Sequence, residues 1–359
     1  MNNRERFLRL MRYEPVDHPP LSVGGPWAET RARWETEGLP SGVDLYDYFG
    51  LEPLRIANVS PETRLFPPFE PRELERTADY VVKINSRGVK VQMSCAMEHS
   101  GPEHYLEYPI KGRADQTWLA ARLDPAAPGR DANGWRQRLR KARASDALTL
   151  VDFGSFYGDL HEHMGTEAMS LALYDQPEFV HWYNDRIAAL CESAIRKAVG
   201  TGRVDLMGGH EDMCFKNGPL VSPAMFREFL TPYYRRTVGL ARSMGQWLFW
   251  MDCDGDIRPL IPLWLEVGVN LFAPCEVAAG VDVRALRAEF GREVRLLGGI
   301  DKRALAAGPA AIETEVVPKL ALARDGGYLP DIDHGIPPDV PFAHYRYYIE
   351  LLKAEYGVR

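Results

Sequence analysis

Several common signatures are missing from this chain, and each absence narrows what it can be. Its 359 residues hold five cysteines, Cys95, Cys191, Cys214, Cys253 and Cys275, an odd number, widely spaced and with no C-x-x-C pair. That pattern argues against a disulfide framework and gives no paired-thiolate zinc motif. No G-x-G-x-x-G follows a strand-like run and there is no P-loop, so the usual phosphate-cradling loops of open nucleotide-binding sheets are absent. Nowhere do 18 apolar residues run together, which leaves no helical membrane span. The opening MNNRERFLRLMRYEP is charged and amphipathic, without the apolar core of a secretory signal. Positive charge is in the minority, 43 Lys and Arg against 50 Asp and Glu, for a formal net charge of -7. The expectation is a cytoplasmic protein that handles a small-molecule substrate, with no nucleic acid and no membrane as partner.

What is present is a regular alternation of short apolar runs and longer amphipathic ones. Candidate strands are Pro20–Val23, Thr149–Phe153, Val204–Met207, Leu248–Met251, Asn270–Ala273, Val294–Leu297 and Tyr328–Asp331. Between them the spacing predicts helices at Glu178–Ala198, Ala224–Arg242, Ile257–Glu266, Val283–Glu289, Ala311–Ala323 and Phe342–Glu355, with Ser222 before Pro223 as an N-cap. Repeated strand–helix order implies a parallel sheet, and seven or eight units favour closure. The expected fold is α/β, a single TIM-like (β/α)8 barrel over residues 1–359. One stretch breaks the pattern: DYVVKINSRGVKVQM (79–93) has two β-rich runs around Asn85–Gly88, a hairpin signature. It places an inserted β-hairpin in the N-terminal third, within an insertion of about residues 60–110.

The most informative stretch is WLFWMDCDGDIR (247–258), in which five apolar residues run into Asp252, Cys253, Asp254 and Asp256. In a barrel, reactive groups gather where strands end. The other predicted strand ends fit that rule: Asp152 followed by Ser155 and Tyr157, then His210–Asp212, Cys275–Glu276, Asp301–Lys302, and Asp331 with Asp333 and His334. Plainer readings stand beside these. Asp256 and Asp301 read as helix N-caps, Cys253 and Cys275 as small buried residues, Glu211-Asp212 as a loop clamp, and a lone His334 as a structural histidine. Convergence argues the other way, since Asp254, Glu276 and His334 share one mouth if the barrel closes. Strand alternation points Asp252 and Asp254 into that mouth and Cys253 away from it. Two neighbouring carboxylates repel unless a cation or a shared proton lies between them, so either a metal or proton-transfer chemistry is implied.

Longer motifs carry a family resemblance over nearly the whole chain. RERFLRLMRYEPVDHPP (4–20), EDMCFKNGPLVSPAMFREFLTPYYRR (211–236), DGDIRPLIPLWLEVGVN (254–270), VAAGVDVRALRAEFG (277–291), LLGGIDKRAL (296–305) and GGYLPDIDHGIPPDVPF (326–342) resemble the uroporphyrinogen decarboxylase superfamily. That superfamily also contains the cobamide-dependent methyltransferases. The resemblance implies a TIM-like barrel but leaves the reaction open. The decarboxylases carry an arginine-rich motif after the first strand, where this chain has SVGGPWAETR (22–31), and an essential Asp with no counterpart near Ile56–Ser60. An octa-acid tetrapyrrole needs several arginine contacts, and Trp27 and Glu29 do not supply them. The methyltransferase relatives bind zinc through His-x-Cys and a later Cys. Those positions correspond here to Asp252, Asp254 and His334, with Glu276 where some relatives carry a Glu.

The resemblance therefore implies a harder oxygen and nitrogen site for Zn, Mn or Mg in place of a thiolate site, with Asp252, Asp254, Glu276 and His334 as its ligands. The implied reaction is methyl transfer from a small methylated substrate to a corrinoid on a separate carrier protein. Asp254, Glu276, His334 and Glu211 are the catalytic candidates; Trp27, Asp152, Tyr157 and Trp250 are the substrate-binding candidates. A second copy of the chain is a further candidate partner. The alternatives are a carboxy-lyase acting on a small acid paired with Arg258 or Lys216, and a non-catalytic binding barrel.

Overall fold

The computed structural model describes residues 1–95 and 103–358. Its strands are β1 (Ile56–Asn58), β2 (Arg72–Arg76), β3 (Tyr80–Ile84), β4 (Lys90–Ser94), β5 (His104–Glu107), β6 (Leu148–Asp152), β7 (Leu206–His210), β8 (Cys214–Phe215), β9 (Gly218–Pro219), β10 (Phe249–Asp252), β11 (Leu271–Ala273), β12 (Arg295–Ile300) and β13 (Tyr328–Ile332). Seven of them form one parallel sheet in the order β1-β6-β7-β10-β11-β12-β13. Neighbours in that sheet are consecutive in the barrel repeat and nearly all are linked by helices, as right-handed strand–helix–strand units require. The sheet curls as a TIM-like half-barrel.

The expected first strand, Pro20–Val23, does not form. Pro19, Pro20 and Pro26 offer no N–H, and Gly24 sits at φ +61°, so the segment cannot sustain a ladder. It runs extended beside the end of β13 instead. Its only ladder contact among the described residues is the parallel bridge Pro26–Ile336, flanked by Ile336 N–H to Gly25 O (2.9 Å) and Trp27 N–H to Ile336 O (3.1 Å).

Alternation divides the core into an inside and an outside. Leu148, Leu150, Leu206, Leu248, Leu271 and Leu329 form one buried cluster with Phe7, Leu8, Leu10 and Met11 of helix α1 (Asn3–Met11). These inward strand residues fill the barrel, and α1 plugs its N-terminal end. Their neighbours Val151, Met207, Phe249, Met251 and Phe272 point outward into a larger cluster with the helix layer. The plug is tied down at both ends: Arg4 Nε donates to Asp205 Oδ2 at 3.1 Å, and Arg295 Nε donates to Met11 O at 2.9 Å.

The helices Pro177–Val199, Val283–Phe290, Pro309–Asp325 and Phe342–Tyr356 lie where the apolar period puts them. Two differ from expectation. The stretch after Ser222 begins helically, with the Ser222 side chain accepting from Met225 N–H, but widens to a π-turn at Phe226–Leu230 before Thr231–Ser243. Pro232 has no N–H to give the preceding turn, so the helix has to rewrap. The helix after β10 starts at Ile261 rather than Ile257, so Asp256 is not its N-cap; it pairs with Arg258 instead.

Between β1 and β6 in the chain, β2–β5 form a four-stranded antiparallel sheet. The hairpin signature is β3–β4, with Ile84 opposite Lys90. Asn85 Oδ1 holds the turn by accepting from Arg87 N–H and Val89 N–H, both at 3.1 Å. Residues 96–102 of the expected insertion lie outside the described ones.

Candidate functional site

At the C-terminal ends of β1, β6, β7 and β10 the barrel opens into a cavity of about 390 Å³. Leu150 and Trp250, inward residues continuous with the plugged core, form its floor. Gly208 makes part of the room, because a Cβ there would sit 2.8 Å from the Leu150 side chain. Around the rim stand Asn58, Arg64, Asp152, Ser155, Asp159, Glu162, His210 and Asp252. Four carboxyls thus face one arginine.

Each carboxyl has a distinct setting. Asp152 accepts from Asn58 Nδ2 at 3.0 Å, yet burial raises its pKa against the pull of Ser60 and Arg64. Asp159 accepts from Tyr183 OH at 2.6 Å and is likewise raised by burial, opposed by His163 and Tyr183. Asp252, the last residue of β10, is pushed up to about 6, first by burial and then by Asp254 and Asp212, while His210 and His334 oppose. A carboxyl titrating there holds its proton part of the time near neutrality.

Two histidine–carboxylate pairs stand around Asp252. His210 Nε2 lies 3.3 Å from Asp212 Oδ2, and this hydrogen bond lifts the imidazole to about 9 against the opposing effect of burial. Asp212 turns back toward β7 through a left-handed φ of 44°, an uncommon conformation for a non-glycine residue at a strand end. His334 Nε2 lies 3.4 Å from Asp254 Oδ2, which raises the His334 pKa. Asp254 N–H approaches Asp212 Oδ1 at 3.4 Å, joining the pairs. Glu276 accepts from Gly255 N–H at 3.0 Å and faces Lys302 Nζ at 3.8 Å; Lys302 in turn lies 3.7 Å from Asp333. Only glycine fits at 255, because φ is +81° and a Cβ would press 2.5 Å onto Cys214 O.

Asp254, Glu276 and His334 therefore meet at one mouth. They are held as hydrogen-bonded and ionic pairs, not as one ligand shell. Among the described residues no three His, Cys, Asp or Glu side chains are grouped as a metal site. The charge that a cation was expected to neutralise is met by histidine, lysine and backbone N–H. Cys253 packs in the outer cluster, as alternation requires.

Of the other sequence candidates, Asp152 and Trp250 line the cavity and three residues lie elsewhere. Trp27 is 47% exposed, with its indole against Gly335 on the far side of His334. The Tyr157 ring is fully buried and stacked on His161. Glu211 is a clamp: its buried carboxylate accepts from Ser155 Oγ (3.2 Å), Phe156 N–H (2.7 Å), Tyr157 N–H (3.0 Å) and Gly158 N–H (2.6 Å), and from Tyr234 OH. It fixes the turn from β6 into the helix Gly158–Met164, which carries Asp159. Arg258 is spent on Asp256 at 2.7 Å, and Lys216 is exposed in the β8–β9 turn, so neither belongs to the cavity. Four ionisable residues of the rim were not among the sequence candidates for the site. His210 ends a strand and was legible there; Arg64 lies in a loop and Asp159 and Glu162 in the short helix Gly158–Met164, with no local signal.

Comparison with known proteins bears on this site. Uroporphyrinogen decarboxylase from Pseudomonas aeruginosa (strain LESB58) is 31% identical over 201 residues, covering 51% of this chain and 51% of that protein. The enzyme of the same name from Pseudomonas fluorescens (strain Pf0-1) is 29% identical over 210 residues, covering 55% and 53%. The chain thus spans about half the length of the curated relatives it matches. A solved structure described as "methyltransferase from Methanosarcina mazei" superposes with a TM-score of 0.64 at 16% identity and covers 99% of both chains, a likeness of fold. The family model described as uroporphyrinogen decarboxylase (URO-D) matches residues 161–355, more than half of the chain and the part that supplies β7 to β13 of the barrel. On that match the chain belongs to the uroporphyrinogen decarboxylase (URO-D) family.

Proposed function

We propose that the protein is a transferase that removes a methyl group from the oxygen or nitrogen of a small neutral or cationic substrate and passes it to a corrinoid on a separate carrier protein. The observation that carries this reading is the lining of the cavity, where the four carboxyls of Asp152, Asp159, Glu162 and Asp252 outnumber the Arg64 guanidinium and the His210 imidazolium. A cavity of 390 Å³ is in the usual range for a small ligand. Its acidity repels an octa-acid, which would need an arginine at most of its carboxylates.

The chemistry needed from this chain is proton delivery. Breaking the methyl–heteroatom bond leaves an electron pair on the oxygen or nitrogen, and protonating that atom makes it a competent leaving group. Asp252 is the proton donor: it lines the cavity, titrates at about 6, and is recharged beside the His210–Asp212 pair. Trp250 and Leu150 press the methyl-bearing end from below and keep water out. A reduced corrinoid on the carrier protein would supply the electron pair that takes the methyl group, while Asp252, Trp250 and Leu150 hold and protonate the substrate. The Methanosarcina methyltransferase shares the fold, which accommodates a transferase but at 16% identity does not decide the reaction.

A second reading follows from Arg64, the arginine of the cavity, which acts on both Asp152 and Asp159. A small carboxylic acid seated on it would make the protein a carboxy-lyase, in keeping with the family description. The two readings part in one assay. The protein is mixed with reduced free cobalamin as acceptor and a panel of methoxy-aromatics and methylamines, following loss of the reduced corrinoid's absorbance. In parallel, a panel of small acids is assayed for carbon dioxide release. Methyl transfer from one class supports the proposal; carbon dioxide release without methyl transfer replaces it with the second reading.

A further inference from the structure

The N-terminal end of the barrel carries a second cavity of about 450 Å³, between α1 and the segments that lead into β7 and β10. It has the opposite chemistry to the mouth. Arg4, Arg9, Arg12 and Arg203 line it, against Glu5 and Asp205. Two of these arginines have work in the fold. Arg4 donates to Asp205 at 3.1 Å, and Arg203 lies 3.7 Å from the same carboxylate, which also accepts from Thr149 N–H at 2.9 Å. That arrangement fastens the plug to the barrel.

Arg9 and Arg12 are not explained in this way. Arg9 reaches Glu14 only at 3.6 Å and Glu5 only at 4.0 Å, and its buried Nε makes no hydrogen bond. The buried Nε of Arg203 has no hydrogen bond either. Arg12 forms no ion pair among the described residues and lies over the Trp247 ring, 4.5 Å from its centre, while Arg295 lies 5.8 Å from the same ring. Three residues apart at the end of α1, Arg9 and Arg12 project on one side of it. The chain's net charge of -7 gives no general attraction for anions, so any anion bound here is held locally.

We propose that this cavity binds a phosphate-bearing anion, gripped by the forks of Arg9 and Arg12 with Arg203 behind them. Guanidinium forks give paired hydrogen bonds to phosphate oxygens, and neither Arg9 nor Arg12 has a carboxylate within hydrogen-bond distance to compete for its fork. The site lies at the opposite ends of the strands from the acid-walled cavity, so it stands or falls independently of the methyl-transfer reading.

The test is calorimetric titration of the full chain at low ionic strength with pyrophosphate and, separately, with ADP. The proteins compared are wild type and the double variant Arg9→Gln/Arg12→Gln. The expected result is saturable binding of both ligands by wild type and a loss of about tenfold or more in the double variant, with the unliganded melting temperature little changed. Equal affinity in the variant, or no saturable heat from pyrophosphate with wild type, overturns the proposal. So does ADP binding without pyrophosphate binding, since the phosphate would then not be what is recognised. If the variant melts much earlier, Arg9→Lys/Arg12→Lys keeps the charge without the fork and is measured instead, with the same loss expected.

Discussion

Asp252 shows how a single side chain is set by its place in a strand. It is the last residue of β10, inward by alternation, with Trp250 one step below and Asp254 one step beyond. Burial lifts it to about 6, so folding favours its protonated form. The sign follows: its contribution to stability is complete below the unfolded-state value near 4 and is lost as pH rises through about 6. Asp252→Asn is therefore expected to be more stable than wild type at pH 7 by on the order of 2 kcal/mol, a gain that vanishes near pH 4. Denaturant unfolding at the two pH values measures it, and equal stabilities at pH 7 would contradict the burial argument. The same substitution removes the proton donor and should lower kcat/KM by about 10² to 10⁴. The acid cluster was legible in WLFWMDCDGDIR, and so was its placement at a strand end. The meeting of Asp254 with His334, 80 positions on, followed from their shared strand-end face; that Lys302 answers Glu276 was not legible in the local sequence. Those ion pairs meet the repulsion that a metal would otherwise have to neutralise.

At the scale of elements, strand register and the plug carry the account. Cys253 lies in the outer cluster and should be dispensable for chemistry. Cys253→Ser is expected to keep wild-type turnover while losing about 1–3 kcal/mol of stability, because a hydroxyl replaces a thiol in an apolar setting. Loss of activity without loss of fold would mean that the thiol reaches the mouth. Phe7 of α1 is fully buried beneath the barrel floor. Phe7→Ala should cost about 3–5 kcal/mol in denaturant unfolding, since no neighbouring element is free to collapse into the gap. A cost under about 1 kcal/mol would show that the plug is loosely seated. Apolar periodicity found six of the seven barrel strands and most of the helices, because burial on both faces leaves an unmistakable run. It misassigned Pro20–Val23, where prolines leave apolar character intact but remove the N–H groups a ladder needs. It also missed the fine structure after Ser222, where Pro232 forces a π-turn that no period reports.

For the whole molecule, the distribution of charge matters more than its sum. An excess of acid over base runs through the chain, yet the mouth concentrates carboxyls while the N-terminal end concentrates arginines. Family membership fixes the TIM-like fold; it does not fix the reaction or the substrate, because function resides in side chains placed on the fold. The acid mouth predicts that uroporphyrinogen is not turned over at a rate comparable with a dedicated decarboxylase, and a direct assay with that tetrapyrrole would show otherwise at once. The central claim is that Asp252 delivers the proton that releases a demethylated leaving group. Its most direct test is the pH dependence of methyl transfer to reduced cobalamin, measured for wild type and Asp252→Asn with the best methylated substrate. The expected result is a wild-type kcat/KM that falls about tenfold per pH unit above about 6, and a variant slower by orders of magnitude with no such fall. A variant that retains both the wild-type rate and its pH profile would contradict it.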